Sequence, residues 1–208
     1  MTDRNARTVV ALSGGLGYPS TTRELTDAVL DTVGHTAWDR DIDVRTHTVE
    51  VRDHAHDVTG ETLLGMRSTT LEAALTEVEQ ADALVAASPV FRGSYAGLFK
   101  SFVDLIDPVA LRGKPVLVAA TGGSDRHTLA LDTAMRPLFA YFGSLVIPTG
   151  LYATGDDYSV GSTPTDRLRT RIERAAHELT QQLAVAPTPV RLQQSEPSGA
   201  SINLPTHR

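Results

Sequence analysis

No cysteine occurs anywhere in the 208 residues. That absence removes disulfides, thiolate nucleophiles, thiolate zinc sites and iron–sulfur clusters together, and with them any redox chemistry of the chain's own thiols. Basic charge is also short: 19 Lys and Arg against 25 Asp and Glu leave a formal net charge of −6. Nonspecific nucleic-acid binding relies on Lys and Arg neutralising phosphates, and no basic stripe is present to supply it. Long apolar runs are missing too, since nothing approaches the ~18 residues of a membrane span. At the start, "MTDRNARTVVALSGG", only a few apolar residues precede the glycines, too few for a signal-peptide core. The expectation is a cytoplasmic protein with no membrane or nucleic-acid partner.

What is present is ordinary globular material, 41% hydrophobic and 21% charged, enough for one domain with a real core. Short β-branched runs at residues 8–13, 43–51, 82–87, 114–121 and 144–149 read as strands. Those after Asp82 and Lys114 are almost wholly apolar, as central parallel strands covered on both faces must be. Segments of helical period lie between them. Leu25, Ala28, Val29, Thr32 and Val33 share one face, Leu71, Ala74, Leu75 and Val78 another, and Leu168, Ile172, Ala175, Ala176 and Leu179 a third. Capping boxes are read at Thr21 with Glu24 and at Thr69 with Glu72. The alternation predicts an α/β fold, a doubly wound parallel sheet with helices on both faces. Residues 1–186 are expected to form that domain, and the proline-rich polar stretch 187–208 a flexible tail or packing arm. No internal repeat is evident.

A sheet of this kind places its ligand outside the carboxyl ends of its strands, which selects three loops: Ser13 to Thr22, Ser88 to Tyr95, and Thr121 to His127. The first, "SGGLGYPSTT", lacks the Gly-Lys-Ser/Thr of a Walker A loop. Ser20 stands where a dinucleotide fingerprint needs its third glycine, and the strand-end acid Glu50 comes later than the usual spacing of roughly twenty residues. A helix N-terminus flanked by Ser13, Ser20, Thr21 and Thr22 can still hold one phosphate without lysine. A single terminal phosphate points to a mononucleotide such as FMN; the plainer alternative is that Thr21 caps the helix and the glycines only turn the chain. In the second loop, Pro89, Val90, Phe91, Arg92, Gly93, Ser94 and Tyr95 lead into a helix near Ser94 or Tyr95. Phe91 and Tyr95 offer flat apolar surface for a planar ring, and Arg92 offers a charge at its rim. Leu98, Phe99 and Phe102 read as core. The third loop, with Thr121, Gly122, Gly123 and Ser124, lets a ligand approach the main chain.

Two other chemistries find less support. Ser124 sits in "GGSDR", but a nucleophile elbow needs glycine where Arg126 stands, so a hydrolase is not expected. In "DHAHD", Asp53 to Asp57, alternate residues of an extended chain can share a face, yet no further ligand cluster completes a metal site. No metal is expected. His127 reads first as a packing or hydrogen-bonding residue near the third loop, with contact to a ligand as the lesser alternative.

The stretch from Ser88 to Ala153 contains P-V-[FY]-x-x-S-Y-x-G-L-[FL]-K followed by A-T-G-G-x-x-x-H-x-L-x-x-D. On these motifs the chain resembles the NADPH-dependent FMN reductases from about Thr8 to Asp157, especially the alkanesulfonate-type enzymes and an actinobacterial branch associated with luciferase-like monooxygenases. The resemblance implies a flavodoxin-like five-stranded sheet of order 2-1-3-4-5. It implies FMN at the strand ends, with NADPH or NADH stacking on its ring. By the same resemblance Ser13, Ser20, Thr21 and Thr22 hold the phosphate, although Gly15 replaces the second serine of the commoner S-G-S-x-x-x-x-S. Pro89 to Tyr95 would lie along the flavin ring and Thr121 to Ser124 at its pyrimidine edge. It further implies a homodimer or homotetramer, the helix from Tyr95 to Ile106 being the candidate contact.

Hydride transfer to a flavin needs no protein nucleophile, metal or perturbed acid, so no catalytic side chain is nominated. The function expected first is a reductase that supplies reduced FMN to a two-component flavin-dependent monooxygenase. The alternatives are an FMN-retaining quinone, azo-compound or metal-ion reductase, and a non-enzymatic flavodoxin-like electron carrier.

Overall fold

Period-two alternation sorts the strand residues between two faces of one sheet, and both faces are covered. The computed structural model describes residues 6–159 and 163–185; the tail or arm expected at 187–208 lies outside them. In chain order the elements are β1 (Arg7–Ser13), α1 (Thr21–Trp38), β2 (Val44–Glu50), α2 (Ala55–Leu64), α3 (Thr69–Gln80), β3 (Ala83–Phe91), β4 (Ser94–Tyr95), α4 (Gly97–Val103), β5 (Pro115–Thr121), α5 (Arg136–Tyr141), β6 (Leu145–Val146), β7 (Leu151–Ala153), β8 (Tyr158–Ser159), β9 (Thr163–Pro164) and α6 (Asp166–Val185). The main sheet runs β2-β1-β3-β5 in parallel, with β6 and β7 both against β5. Counting β6 and β7 as one interrupted fifth strand, this is the 2-1-3-4-5 order of a flavodoxin-like fold.

Val10, Leu12, Leu84, Ala86, Val116 and Val118 face a core built with Leu71, Leu75, Phe99, Phe102 and Phe139. Val9, Ala11, Val85, Leu117 and Ala119 face the opposite core, closed by Leu25, Val29 and Val33 of α1 and Leu168, Ile172 and Leu179 of α6. No helix among the described residues is long and apolar enough to cross a membrane.

Four local expectations are corrected. The helix caps fall one residue earlier than the capping boxes imply: Ser20 Oγ accepts from the Arg23 N–H and Ser68 Oγ from the Leu71 N–H. Thr21 and Thr69 are the first helical residues. The third strand does not stop at residue 87 but continues to Phe91, because Val90 and Phe91 pair antiparallel with Tyr95 and Ser94. The helix after it therefore starts at Gly97. The "DHAHD" segment is not extended; residues 51–54 form a helical turn that leads into α2. His54 lies against Phe102 with ring centroids 6.2 Å apart, and Asp57 accepts from the Thr70 hydroxyl at 2.9 Å.

The fifth strand, expected over 144–149, is broken. Leu145–Val146 pair with the start of β5 and Leu151–Ala153 with its end, while Pro148 has no N–H to give the ladder. Side chains take over the polar groups of the break. Arg136 donates to the Ile147 and Pro148 carbonyls, and Arg171 to those of Gly150 and Tyr152. Glu178 accepts from both the N–H and the hydroxyl of Thr149 at 2.7 Å.

Candidate active site

The parallel sheet brings the ends of β1, β3 and β5 side by side: Ser13 is level with Ala87, and Pro89 with Thr121. The three loops singled out by sequence therefore lie at one edge of the molecule.

In the first, Ser13 is fully buried and its hydroxyl has no hydrogen-bond partner among the described residues. Gly14 donates to the Ala87 carbonyl at 2.7 Å. Gly15 follows under the start of α1, where a Cβ would lie 2.1 Å from Ser20 Oγ and 3.2 Å from Thr22 Cβ, so any side chain there would displace the Ser20 hydroxyl. Leu16 to Pro19 are exposed. Ser20 caps α1 by accepting from Arg23, which leaves its own proton to donate. Thr21 is exposed at the mouth of the helix. Thr22 turns inward, and its hydroxyl meets that of Thr121 at 2.7 Å, both residues buried. One proton of this pair is consumed in the mutual bond, so the two hydroxyls together retain a single donor. The bond ties the first loop to the third.

The second segment is a hairpin, not a loop. Arg92 and Gly93 form its two-residue turn with φ of 53° and 83°, the left-handed pair that matches strand twist. Ser88 closes the hairpin from below: its buried hydroxyl accepts from the Ala96 N–H at 2.9 Å and donates to the Pro89 carbonyl at 3.0 Å. The turn projects Phe91, half exposed, towards the third loop. A cleft of about 710 Å³ lies between them, lined by Val90, Phe91, Arg92, Gly93, Gly123, Ser124 and His127. No carboxylate lines it, and Arg92 has no ion pair among the described residues. Tyr95 lies outside the cleft lining and packs on Phe99 at 6.3 Å between ring centroids.

Tyr152 shapes the third loop. A Cβ at Gly122 would lie 2.0 Å from its hydroxyl oxygen, and that hydroxyl donates to the Ser124 carbonyl at 2.8 Å. Burial, with Asp125 nearby, pushes the phenol above its usual range, so it remains a donor. The Gly122 N–H is taken by the Ala153 carbonyl at 3.0 Å, whereas those of Gly123 and Ser124 make no backbone bond among the described residues. Beyond the loop come a single turn at Asp125–His127, a π-helical stretch at Leu131–Met135 and then α5. Among the described residues no group of three or more His, Asp or Glu could hold a metal.

Sequence reasoning missed Tyr152, and also Glu50 and Arg52 beside the first loop. Arg52 lies 2.6 Å from Glu50, donates to the Gly17 carbonyl and stands over the Tyr18 ring. The contacts that tie them to the site reach far along the chain, Tyr152 to Ser124, Arg52 to Gly17 and Glu50 to Arg23, so no local pattern marks them.

The family profile for NADPH-dependent FMN reductases matches residues 7–159. The chain is 44% identical over 169 residues to the NADH-dependent FMN reductase SfnF of Pseudomonas fluorescens, covering 81% of this chain and 87% of that one. It is 42% identical over 172 residues to the FMN reductase (NADPH) of Pseudomonas aeruginosa, covering 81% and 90%. A solved oxidoreductase from Corynebacterium diphtheriae superposes with a TM-score of 0.82 at 36% identity, over 88% of this chain and 100% of the other. With this match laid over a flavodoxin-like sheet whose three site loops converge, the chain belongs to the NADPH-dependent FMN reductase family, oxidoreductases that work with FMN and NAD(P)H.

Proposed function

We propose that this NAD(P)H-dependent FMN reductase takes up FMN as a substrate and releases it reduced to a flavin-dependent monooxygenase, within one cofactor-binding domain spanning residues 1–186. The first loop is the phosphate seat. The observation that carries this reading is the buried hydroxyl of Ser13, without a partner among the described residues, beside a glycine at which an added Cβ would displace the Ser20 hydroxyl. A buried hydroxyl without a partner costs about 1–3 kcal/mol, a cost that an anion accepting from it removes. Ser20, the exposed Thr21, the free N–H groups of α1 and the one remaining proton of the Thr22–Thr121 pair complete a donor set suited to a phosphate dianion.

Bound there, FMN supplies the redox chemistry, accepting hydride from NAD(P)H. The chain's own task is placement. Pro89, Val90, Phe91, Arg92, Gly93, Ser94 and Tyr95 form or brace one wall of the ring site. Gly123 and Ser124 form the other, with Thr121 and Gly122 leading into it and the Gly123 and Ser124 amides left to donate to the flavin's polar edge. Fixing two rings in contact removes an entropic barrier of several kcal/mol without any acid or base. Arg92, without an ion pair among the described residues and in a cleft with no carboxylate, favours the additional phosphate of NADPH.

The exposure of Phe91, Arg92 and residues 16–19 supports flavin exchange over permanent retention. Assembly as a homodimer or homotetramer belongs to the same proposal. NADPH oxidation followed under air at varied free FMN tests it: saturable dependence on FMN is expected. Turnover that ignores added FMN and responds to a quinone would show instead an enzyme that keeps its flavin.

A further inference from the structure

The first loop has little to hold it. Between Gly14, which donates to Ala87, and Ser20, whose carbonyl starts α1, residues 15–19 make no backbone–backbone hydrogen bond among the described residues. Four of them are exposed. A phosphate seat that must organise itself on binding loses affinity to the entropy of ordering.

One side chain spans that gap. Glu50 ends β2 level with Ser13 at the end of β1. One of its carboxylate oxygens receives Arg23, in the first turn of α1, at 2.7 Å; the other faces Arg52 at 2.6 Å. Arg52 then donates from its second guanidinium nitrogen to the Gly17 carbonyl, and its charged plane stands 5.3 Å from the centre of the Tyr18 ring. The side chains of Glu50 and Arg52 are only 11% and 21% exposed, unlike ordinary solvated ion pairs. The carboxylate thus fixes Arg52 against the helix that caps the loop, and Arg52 fixes the loop's tip by its backbone and its aromatic ring.

We propose that Glu50 and Arg52 are positioning residues that make this enzyme selective for phosphorylated flavin, FMN over riboflavin, by holding Gly17 and Tyr18 in the shape that receives the phosphate. The inference rests on the first loop being the phosphate seat. Its signature is selective: riboflavin has the ring but no phosphate, so a loosened first loop weakens FMN and spares riboflavin, whereas general destabilisation of the site weakens both.

The test is titration of wild type, Arg52→Met, Arg52→Lys and Glu50→Gln with FMN and with riboflavin, followed by flavin fluorescence, with thermal melts as a check on folding. Wild type is expected to bind FMN much more tightly than riboflavin. Arg52→Met should lower FMN affinity roughly tenfold, the weight of one charge-assisted hydrogen bond, with riboflavin affinity unchanged. Glu50→Gln should move the same way by less, and Arg52→Lys should recover part of the loss; these two carry the test if Arg52→Met does not fold. At saturating FMN, kcat should stay near wild type while KM rises. An equal loss for both flavins, or none for FMN, overturns the inference. If wild type itself binds the two flavins equally, the first loop is not a phosphate seat, and the site assignment falls along with the inference.

Discussion

Replacing Gly15 with alanine separates the binding role of the first loop from its structural role. The added Cβ would sit 2.1 Å from Ser20 Oγ, with Thr22 Cβ at 3.2 Å and Ser20 Cβ at 3.3 Å behind it. The nearest obstacle is a rotatable hydroxyl, so the expected response is rotation of Ser20 out of its cap, with shifts of a few tenths of an ångström in the rest. Losing the cap to the Arg23 N–H costs about 1 kcal/mol, a fall of about 2–4 °C in Tm for a chain of this size. Losing a hydroxyl that donates to a charged phosphate costs about 1.5–3 kcal/mol more, but only in the bound state. FMN affinity should therefore drop roughly 10- to 100-fold, with a modest loss of stability.

The double variant Gly15→Ala/Ser20→Gly sharpens the test. Glycine at the cap costs only a few tenths of a kcal/mol relative to serine, and it removes the collision. Tm should return close to wild type while FMN affinity stays low, because the donor is still missing. Fluorescence titration and a melt on each of the three proteins suffice. A double variant that recovers FMN affinity along with Tm would refute the role of Ser20 as a phosphate donor. So would a Gly15→Ala protein that melts lower but binds FMN within about twofold of wild type.

The remaining predictions concern the other loop, the dinucleotide and the far end of the sheet. Thr22→Val strands the buried Thr121 hydroxyl and should cost about 1–3 kcal/mol in urea unfolding, most of it recovered in Thr22→Val/Thr121→Val; equal losses in single and double variants would contradict the pairing. Arg92→Gln should lower kcat/KM with NADPH roughly tenfold and leave NADH unchanged, the difference one phosphate contact makes; equal losses with both would show that Arg92 does not read the extra phosphate. Lys114, whose ammonium donates to the Val78 and Glu79 carbonyls at 2.9 and 2.8 Å, is pushed down to about 8 by burial. Its folded value lies below the unfolded one, so between about pH 8 and 10.5 the unfolded chain binds more protons and stability rises with pH, by at most about 3 kcal/mol. Urea midpoints across that window should climb in wild type and lose the Lys114 contribution in Lys114→Met; identical profiles would refute the assignment.

Whatever burial dictates was legible in the sequence. Leu71, Ala74, Leu75 and Val78 had to share a buried face, and the apolar runs of β3 and β5 had to lie between two layers, because no other arrangement removes them from water. Hydroxyl choices were less legible: Ser20-Thr21-Thr22 and Ser68-Thr69-Thr70 each offer adjacent capping residues, and burial of Thr22 and Leu71 sets which one begins the helix. Gly93 announced a turn, but Arg92 at φ 53° is set by the pairing of Val90 with Tyr95, not by its own preference. Least legible was the wiring of the site. Tyr152 reaches Ser124 across 28 residues, Arg52 reaches Gly17 across 35, and Thr22 meets Thr121 across 99. Arg52 shows why: it lies in "VRDHAHD", where the local pattern draws attention to the histidines and acids as metal ligands. Its partner Glu50 looked only like a strand-end acid too late for a dinucleotide fingerprint. Residues that touch a ligand leave local traces, as glycines and hydroxyls do at a helix mouth. Residues that hold those in place reveal themselves only when the sheet puts the end of β2 beside the end of β1, and for that reason the selectivity of this site for a phosphorylated flavin has to be sought in Glu50 and Arg52 as well as in the loop itself.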